Sequence, residues 1–197
     1  MVKSKSKLKL MAKKTEIVLK MSKQQIEIER KYIIAMPDIS RLRELCGFTE
    51  SRIEQIYLST ASGNTHRVRK RDFGNAVEYT ETCKERIDGM SVREREREIS
   101  ENEFMALSKN IAEGTRPLKK IRYTFDFSNQ TFELDVYPEW KSTAIMETEL
   151  KSRDEMVEMP DFITIIREVT GERAYSNASM SRNFPKEEGE GYKAKPW

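Results

Sequence analysis

From Gln24 onward, apolar and polar residues alternate over short runs set apart by turn signals. In Ile26-Glu27-Ile28-Glu29-Arg30-Lys31-Tyr32, the side chains of Glu27, Glu29 and Lys31 share one face, because a strand turns each successive side chain to the opposite side. Comparable runs fall at 54–59, 65–71, 76–84, 92–99, 119–127, 131–137 and 144–150. They are rich in β-branched and aromatic residues and are separated by Ser62-Gly63-Asn64, Phe73-Gly74-Asn75, Asp88-Gly89 and Ser128-Asn129. The pattern predicts eight strands, mostly in consecutive hairpins. Three helices are expected between them: 38–46, closed by Gly47; a second opened by the Ser100–Glu103 capping box and ended by Gly114; and a third opened by Ser152–Glu155, restarted at Pro160 and ended at Gly171.

Charge changes this picture. Arg67/Arg69, Lys84, Glu94/Glu96/Glu98, Lys120/Arg122, Glu133/Asp135 and Glu147/Glu149 all keep the two-residue period, while Phe132, Leu134 and Val136 take the opposite face of their run. So many strands charged on one face, with few helices to cover the other, predict a mainly β, α+β domain. We expect an eight-stranded antiparallel closed barrel with helices packed outside and a charged lumen. Such a lumen needs a compensating ligand, because unpaired buried charge is costly. Carboxylate pairs suit Mg²⁺ or Mn²⁺, whereas arginine and lysine suit phosphate oxygens. Together they point to a polyanion carried with a divalent metal.

Glu27-Ile28-Glu29-Arg30-Lys31 resembles the Glu-x-Glu-x-Lys signature of the CYTH superfamily, the triphosphate tunnel metalloenzymes. Later segments resemble the family's succeeding strands in order: Gln55–Leu58, Arg67-Val68-Arg69, Thr82-Cys83-Lys84, Glu96–Ile99, Lys120–Tyr123, Phe132–Val136 and Met146–Leu150, then Tyr175-Ser176-Asn177. Among its branches, the compact bacterial tripolyphosphatases are the most similar. The resemblance implies a tunnel in which Glu27, Glu29 and Glu147 hold Mg²⁺ or Mn²⁺. It implies that Lys31, Arg67, Arg69, Lys84, Lys120 and Arg122 hold phosphates. Glu98, Asp135 and Glu149 would serve a second metal or the attacking water, and Tyr57 would orient the phosphate being released. The implied activity is metal-dependent hydrolysis of a triphosphate, first of all inorganic tripolyphosphate to pyrophosphate and phosphate. The alternatives are a class IV adenylate cyclase, a thiamine-, nucleoside- or RNA 5′-triphosphatase, and a polyphosphate-binding module without turnover.

Composition adds three points. Residues 1–23 carry eight lysines and one acid, a charge of +7, which leaves 28 basic against 32 acidic side chains, or −4, for the remainder. This gives a basic, flexible leader over 1–23, a domain over 24–183 and a loosely ordered tail over 184–197. Nucleic acid would be met only through the leader. Two cysteines and one histidine, His66, do not support a disulfide framework or a Cys/His zinc site, and a reducing, cytoplasmic setting is expected. Cys46 and Cys83 read as small core residues and His66 as a surface residue. The partner expected is a small triphosphate rather than a membrane, and the chain is read as a monomer or homodimer.

Overall fold

A computed structural model describes residues 25–60, 65–86 and 91–188. The leader over 1–23 therefore lies outside the described residues. Among the described residues there are nine strands: β1 (Gln25–Ala35), β2 (Cys46–Tyr57), β3 (Thr65–Asp72), β4 (Val77–Arg86), β5 (Ser91–Glu98), β6 (Leu118–Phe127), β7 (Gln130–Val136), β8 (Thr143–Leu150) and β9 (Ile165–Glu168). The helices are short: α1 (Ile39–Leu42), α2 (Glu101–Leu107) and α3 (Asn177–Met180). Among the described residues no helix is long and apolar enough to cross a membrane.

The expected eight-stranded closed barrel with helices outside is corrected here. The strands form one nine-stranded antiparallel sheet in the order β5-β4-β3-β2-β6-β7-β8-β1-β9. The sheet curls until β5 meets β1, but only from Gln25↔Glu94 to Ile28↔Ser91. From Tyr32 onward that edge of β1 is taken by β9, while its other edge pairs with β8 along Ile28–Ala35. The sheet is therefore curled rather than closed along its length. The third expected helix does not form either. Glu155 accepts from the Lys151 amide and from Gln130, the chain runs irregularly past Pro160, and Ile165–Glu168 becomes β9. Residues 43–53 also differ: α1 ends early and β2 begins at Cys46, which is exposed instead of belonging to the core.

Turn chemistry explains the hairpins. Ser128 and Asn129 both take positive φ in the two-residue connection between β6 and β7, the conformation that matches strand twist. Gly47 has φ +66° at the irregular start of β2, where a Cβ would lie 2.3 Å from Asp126 Oδ2. Only glycine fits there without displacement.

Much of the convex face across β1 and β6–β8 is apolar. Tyr32, Ile34, Phe125, Phe132, Leu134 and Met146 form the main cluster, covered by Leu42 of α1 and by Ile163. The Phe125 and Phe132 rings stack at 5.5 Å, and burying each stabilises the fold by about 1.5–3 kcal/mol. A second cluster seats Phe104 of α2 on Ile56 and Val68, with Ser100 and Glu103 forming the predicted capping box. A third cluster lies on the concave side, where Ile33, Leu118, Tyr137, Ile145, Tyr175 and Met180 fill one end of the curl. Parts of the segment read as a loose tail are tied to this plug. Trp140 Nε1 donates to the Pro185 carbonyl at 3.1 Å, and one Glu187 carboxylate oxygen accepts the backbone N–H groups of Lys141, Ser142 and Thr143.

Candidate functional site

The curl leaves a cavity of about 410 Å³ against the concave face. Strand parity selects its lining. β3 contributes Arg67, Arg69 and Arg71; β6 contributes Lys120 and Arg122; β1 contributes Glu29 and Lys31. Gln55 and Tyr57 come from β2, Lys84 from β4, Glu96 from β5, Glu133 from β7, and Glu147 and Glu149 from β8. One end is bounded by residues 169–172 and 176–178, just above the apolar plug.

The deepest charge is Asp135, at 0% exposure. Arg122 grips it with Nε and Nη2, and Lys120 Nζ donates to its Oδ2. Burial opposes its ionisation, but the Arg122 and Lys120 charges prevail and hold the carboxyl below its usual range. Burial, aided by the neighbouring Arg122 charge, pushes Lys120 down to about 8. Arg122 also pairs with Glu133 and, at 3.2 Å, with Glu147 Oε2. The other Glu147 oxygen lies 2.7 Å from Lys31 Nζ. Glu147 is thus held low despite its burial, chiefly by the Lys31 charge, and Lys31 is raised because Glu147 and Glu29 outweigh the cost of its burial.

Across the cavity the balance is positive. Arg67 Nη1 donates to Gln55 Oε1 at 3.2 Å, and Gln55 Nε2 donates to the Tyr57 hydroxyl at 3.3 Å. Burial pushes the Tyr57 phenol up. Arg69 meets Glu96 at 3.2 Å, yet burial and the adjacent Arg67 push it down to about 10, with Arg122 and Arg71 adding further repulsion. Its buried Nε has no hydrogen-bond partner. Guanidinium groups that raise one another's energy, with the Arg69 Nε unmet, offer an anion charge-assisted contacts.

The structure gathers most of the expected residues: Glu29, Lys31, Tyr57, Arg67, Arg69 and Lys84 line the cavity, as do Lys120, Arg122, Glu147 and Glu149. Asp135 lies beneath the lining, and Glu98 is exposed at the end of β5, outside it. The Glu27 backbone pairs with Val92, but its side chain lies outside the described residues. Arg71, Glu96 and Glu133 are lining residues absent from the expected set. The two-residue period already sets Glu96 and Glu133 on the charged faces, without a role of their own, and Arg71 shares strand and parity with Arg69, so the same period reaches it. Gln55 likewise shares strand and parity with the expected Tyr57, whereas Asn177, in α3, has no strand neighbour to mark it. His66, read as a surface residue, is half-buried, with Nε2 2.8 Å from Glu81 Oε1.

A divalent ion needs several oxygen ligands converging on one point. Among the described residues no group of three or more carboxylate, histidine or cysteine side chains is so arranged. Glu147 spends both oxygens on Lys31 and Arg122, and Glu29 also faces Lys31, at 3.6 Å. Oxygen donors are the right chemistry for Mg²⁺ or Mn²⁺, but as arranged these side chains do not fit the ion.

No family model matches the chain, and no curated protein matches it. Solved structures do. Two crystal structures of one protein, NE1496, are 28% identical to it and each covers 81% of this chain. One, of a "hypothetical protein", has a TM-score of 0.52 and is covered over 99% of its length. The other, of an "inorganic triphosphatase", has a TM-score of 0.53 and is covered over 96%. The PH1819 protein from Pyrococcus horikoshii OT3 is 23% identical, with a TM-score of 0.50 over 65% of this chain and 80% of that one, a likeness of fold alone.

Proposed function

We propose that this chain, which has the CYTH (triphosphate tunnel) fold, hydrolyses inorganic tripolyphosphate to pyrophosphate and phosphate. The observation that carries the reading is the β3 row Arg67, Arg69 and Arg71, lining one half-open cavity together with Lys31, Lys120 and Arg122. Alternate residues of a strand stand roughly 7 Å apart, so the row tracks a linear polyanion rather than one isolated phosphate. Phosphoryl transfer asks a protein for charge neutralisation and an aligned nucleophile more than for covalent help. Arg67, Arg69, Lys84, Lys31, Lys120 and Arg122 bind and orient the phosphate oxygens. Glu149, directly across the β1–β8 pair from Glu29, orients the attacking water. Tyr57 sits where it can donate to a phosphate oxygen. Asp135 fixes the fork of Arg122 and does not itself meet substrate.

The lining also supports an inorganic rather than a nucleoside substrate. Among the described lining residues, Tyr57 is the single aromatic ring, and it is buried and hydrogen-bonded in place. A nucleobase finds no stacking surface there. The test is phosphate release from tripolyphosphate, ATP and thiamine triphosphate, with and without Mg²⁺ or Mn²⁺. Metal-dependent release from tripolyphosphate, well above that from the organic triphosphates, is expected. Cyclic AMP from ATP would establish the cyclase instead, and no turnover of any substrate would leave a polyphosphate-binding module.

A further inference from the structure

The basic row on β3 is longer than a triphosphate needs. From Arg67 to Arg71 it covers roughly 13 Å of strand, at about 3.3 Å per residue. Tripolyphosphate has three phosphorus atoms joined through only two bridging oxygens, and it reaches two neighbouring arginines of the row. The register places the surplus. Gln55 of β2 pairs with Arg69 on one side and with Leu118 of the plug on the other, whereas Ile53 pairs with Arg71 and with Lys120. The plug therefore stands toward the Arg67–Arg69 end, and Arg71 lies away from it. A linear anion that abuts the plug can grow only past Arg69, toward Arg71.

Arg71 is held ready for that contact. Its Nε donates to the hydroxyl of the buried Ser51 at 2.9 Å, and its guanidinium lies over the Phe73 ring at 4.7 Å. Its Nη1 and Nη2 groups form no hydrogen bond among the described residues. Glu133 and Glu78 attract it, but Glu133 is paired with Arg122, and burial together with the Arg122 charge pushes the Arg71 pKa down. A planar fork already fixed at one nitrogen loses little freedom when its other two meet phosphate oxygens.

We propose that Arg71 is a specificity-determining residue that receives a fourth phosphoryl unit, so that the cavity takes linear polyphosphates longer than tripolyphosphate and binds them more tightly. The inference rests on the reading that the cavity takes polyphosphate, and it sets the length of chain the site prefers.

The experiment is calorimetric titration of the full chain with tripolyphosphate and with linear tetrapolyphosphate, in a chelator and at about 0.15 M salt, where distant charges are screened. The unaltered chain should bind tetrapolyphosphate roughly tenfold more tightly, the value of one charge-assisted contact. Arg71→Met should lose most of that preference, and Arg71→Lys, which keeps the charge without the fork, should retain part of it. Equal affinity for the two anions in the unaltered chain overturns the proposal, even if neither variant folds. Equal losses for both anions in Arg71→Met overturn it as well, because a merely structural role would not depend on chain length. The expected preference without phosphate release from either anion in Mg²⁺ or Mn²⁺ would refute hydrolysis and leave this inference standing, whereas no binding of either anion would overturn both.

Discussion

Arg122 holds Asp135, itself wholly out of solvent, through two nitrogens at once, Nε to Oδ1 and Nη2 to Oδ2, each at 2.6 Å. Lys120 closes on the same carboxylate. One acid therefore anchors two of the cations that face the cavity, with the Tyr137 hydroxyl at 3.5 Å behind it. Tyr137 in turn donates to Asn177 Oδ1 at 2.8 Å, which ties α3 to the floor of the site.

Removing that anchor should be costly. Asp135→Ala takes from the buried Lys120 the carboxylate it donates to and leaves Arg122 with only Glu133 and Glu147, and it is expected to lose about 3–5 kcal/mol of stability. Urea unfolding followed by circular dichroism checks this. The double variant Lys120→Met/Asp135→Ala should lose less than the sum of the two single changes, since it removes both partners of one buried ion pair together.

Acid should weaken the fold through the same cluster. Asp135 and Glu147 both have folded pKa values below their unfolded values of 3.8 and 4.5. Their contribution is therefore fully present above the unfolded values and is lost as pH falls below them toward the folded ones. Melting temperatures should be steady from pH 7 to 5 and fall steeply below pH 4, and Glu147→Gln should fall less over that lower range.

Lys120 has the opposite sign. Its folded pKa of about 8 lies below the ordinary 10.5, so below pH 8 the full cost of burying its charge is present, and that cost is relieved as pH rises from 8 toward 10.5. The same deprotonation removes a phosphate contact. KM for tripolyphosphate should climb above pH 8 in the unaltered chain, whereas Lys120→Met should start higher and show a flatter profile.

Arg69 trades stability for binding. It is crowded by Arg67, Arg71 and Arg122, and its Nε is unmet. Arg69→Met should raise KM roughly tenfold, the value of one charge-assisted contact, without lowering the urea midpoint. A fall in midpoint with unchanged KM would make Arg69 a structural residue.

Gly47 tests the start of β2. Gly47→Ala places a side chain in the left-handed region, costing about 1–2 kcal/mol before its close approach to Asp126 is counted. Chemical denaturation should register at least that loss, with tripolyphosphate turnover per folded molecule little changed.

Which strands form, and which of their faces is charged, was written in the sequence because side-chain alternation is local: Arg67 and Arg69 must share a face, as must Phe132 and Leu134 on the opposite kind of surface. That rule reached most of the cavity lining, Glu96 and Glu133 included, and extends from Arg69 to Arg71. Tertiary structure alone decided the rest. Ile165–Glu168, four residues inside an expected helix, became a strand because β1 offered a vacant edge. Asp135 and Glu149 look alike as inward acids on neighbouring strands, yet one is sealed beneath Arg122 and the other opens to the cavity. Only the packing of distant segments determines how far each strand runs into the plug, and so which charges face one another and which face water.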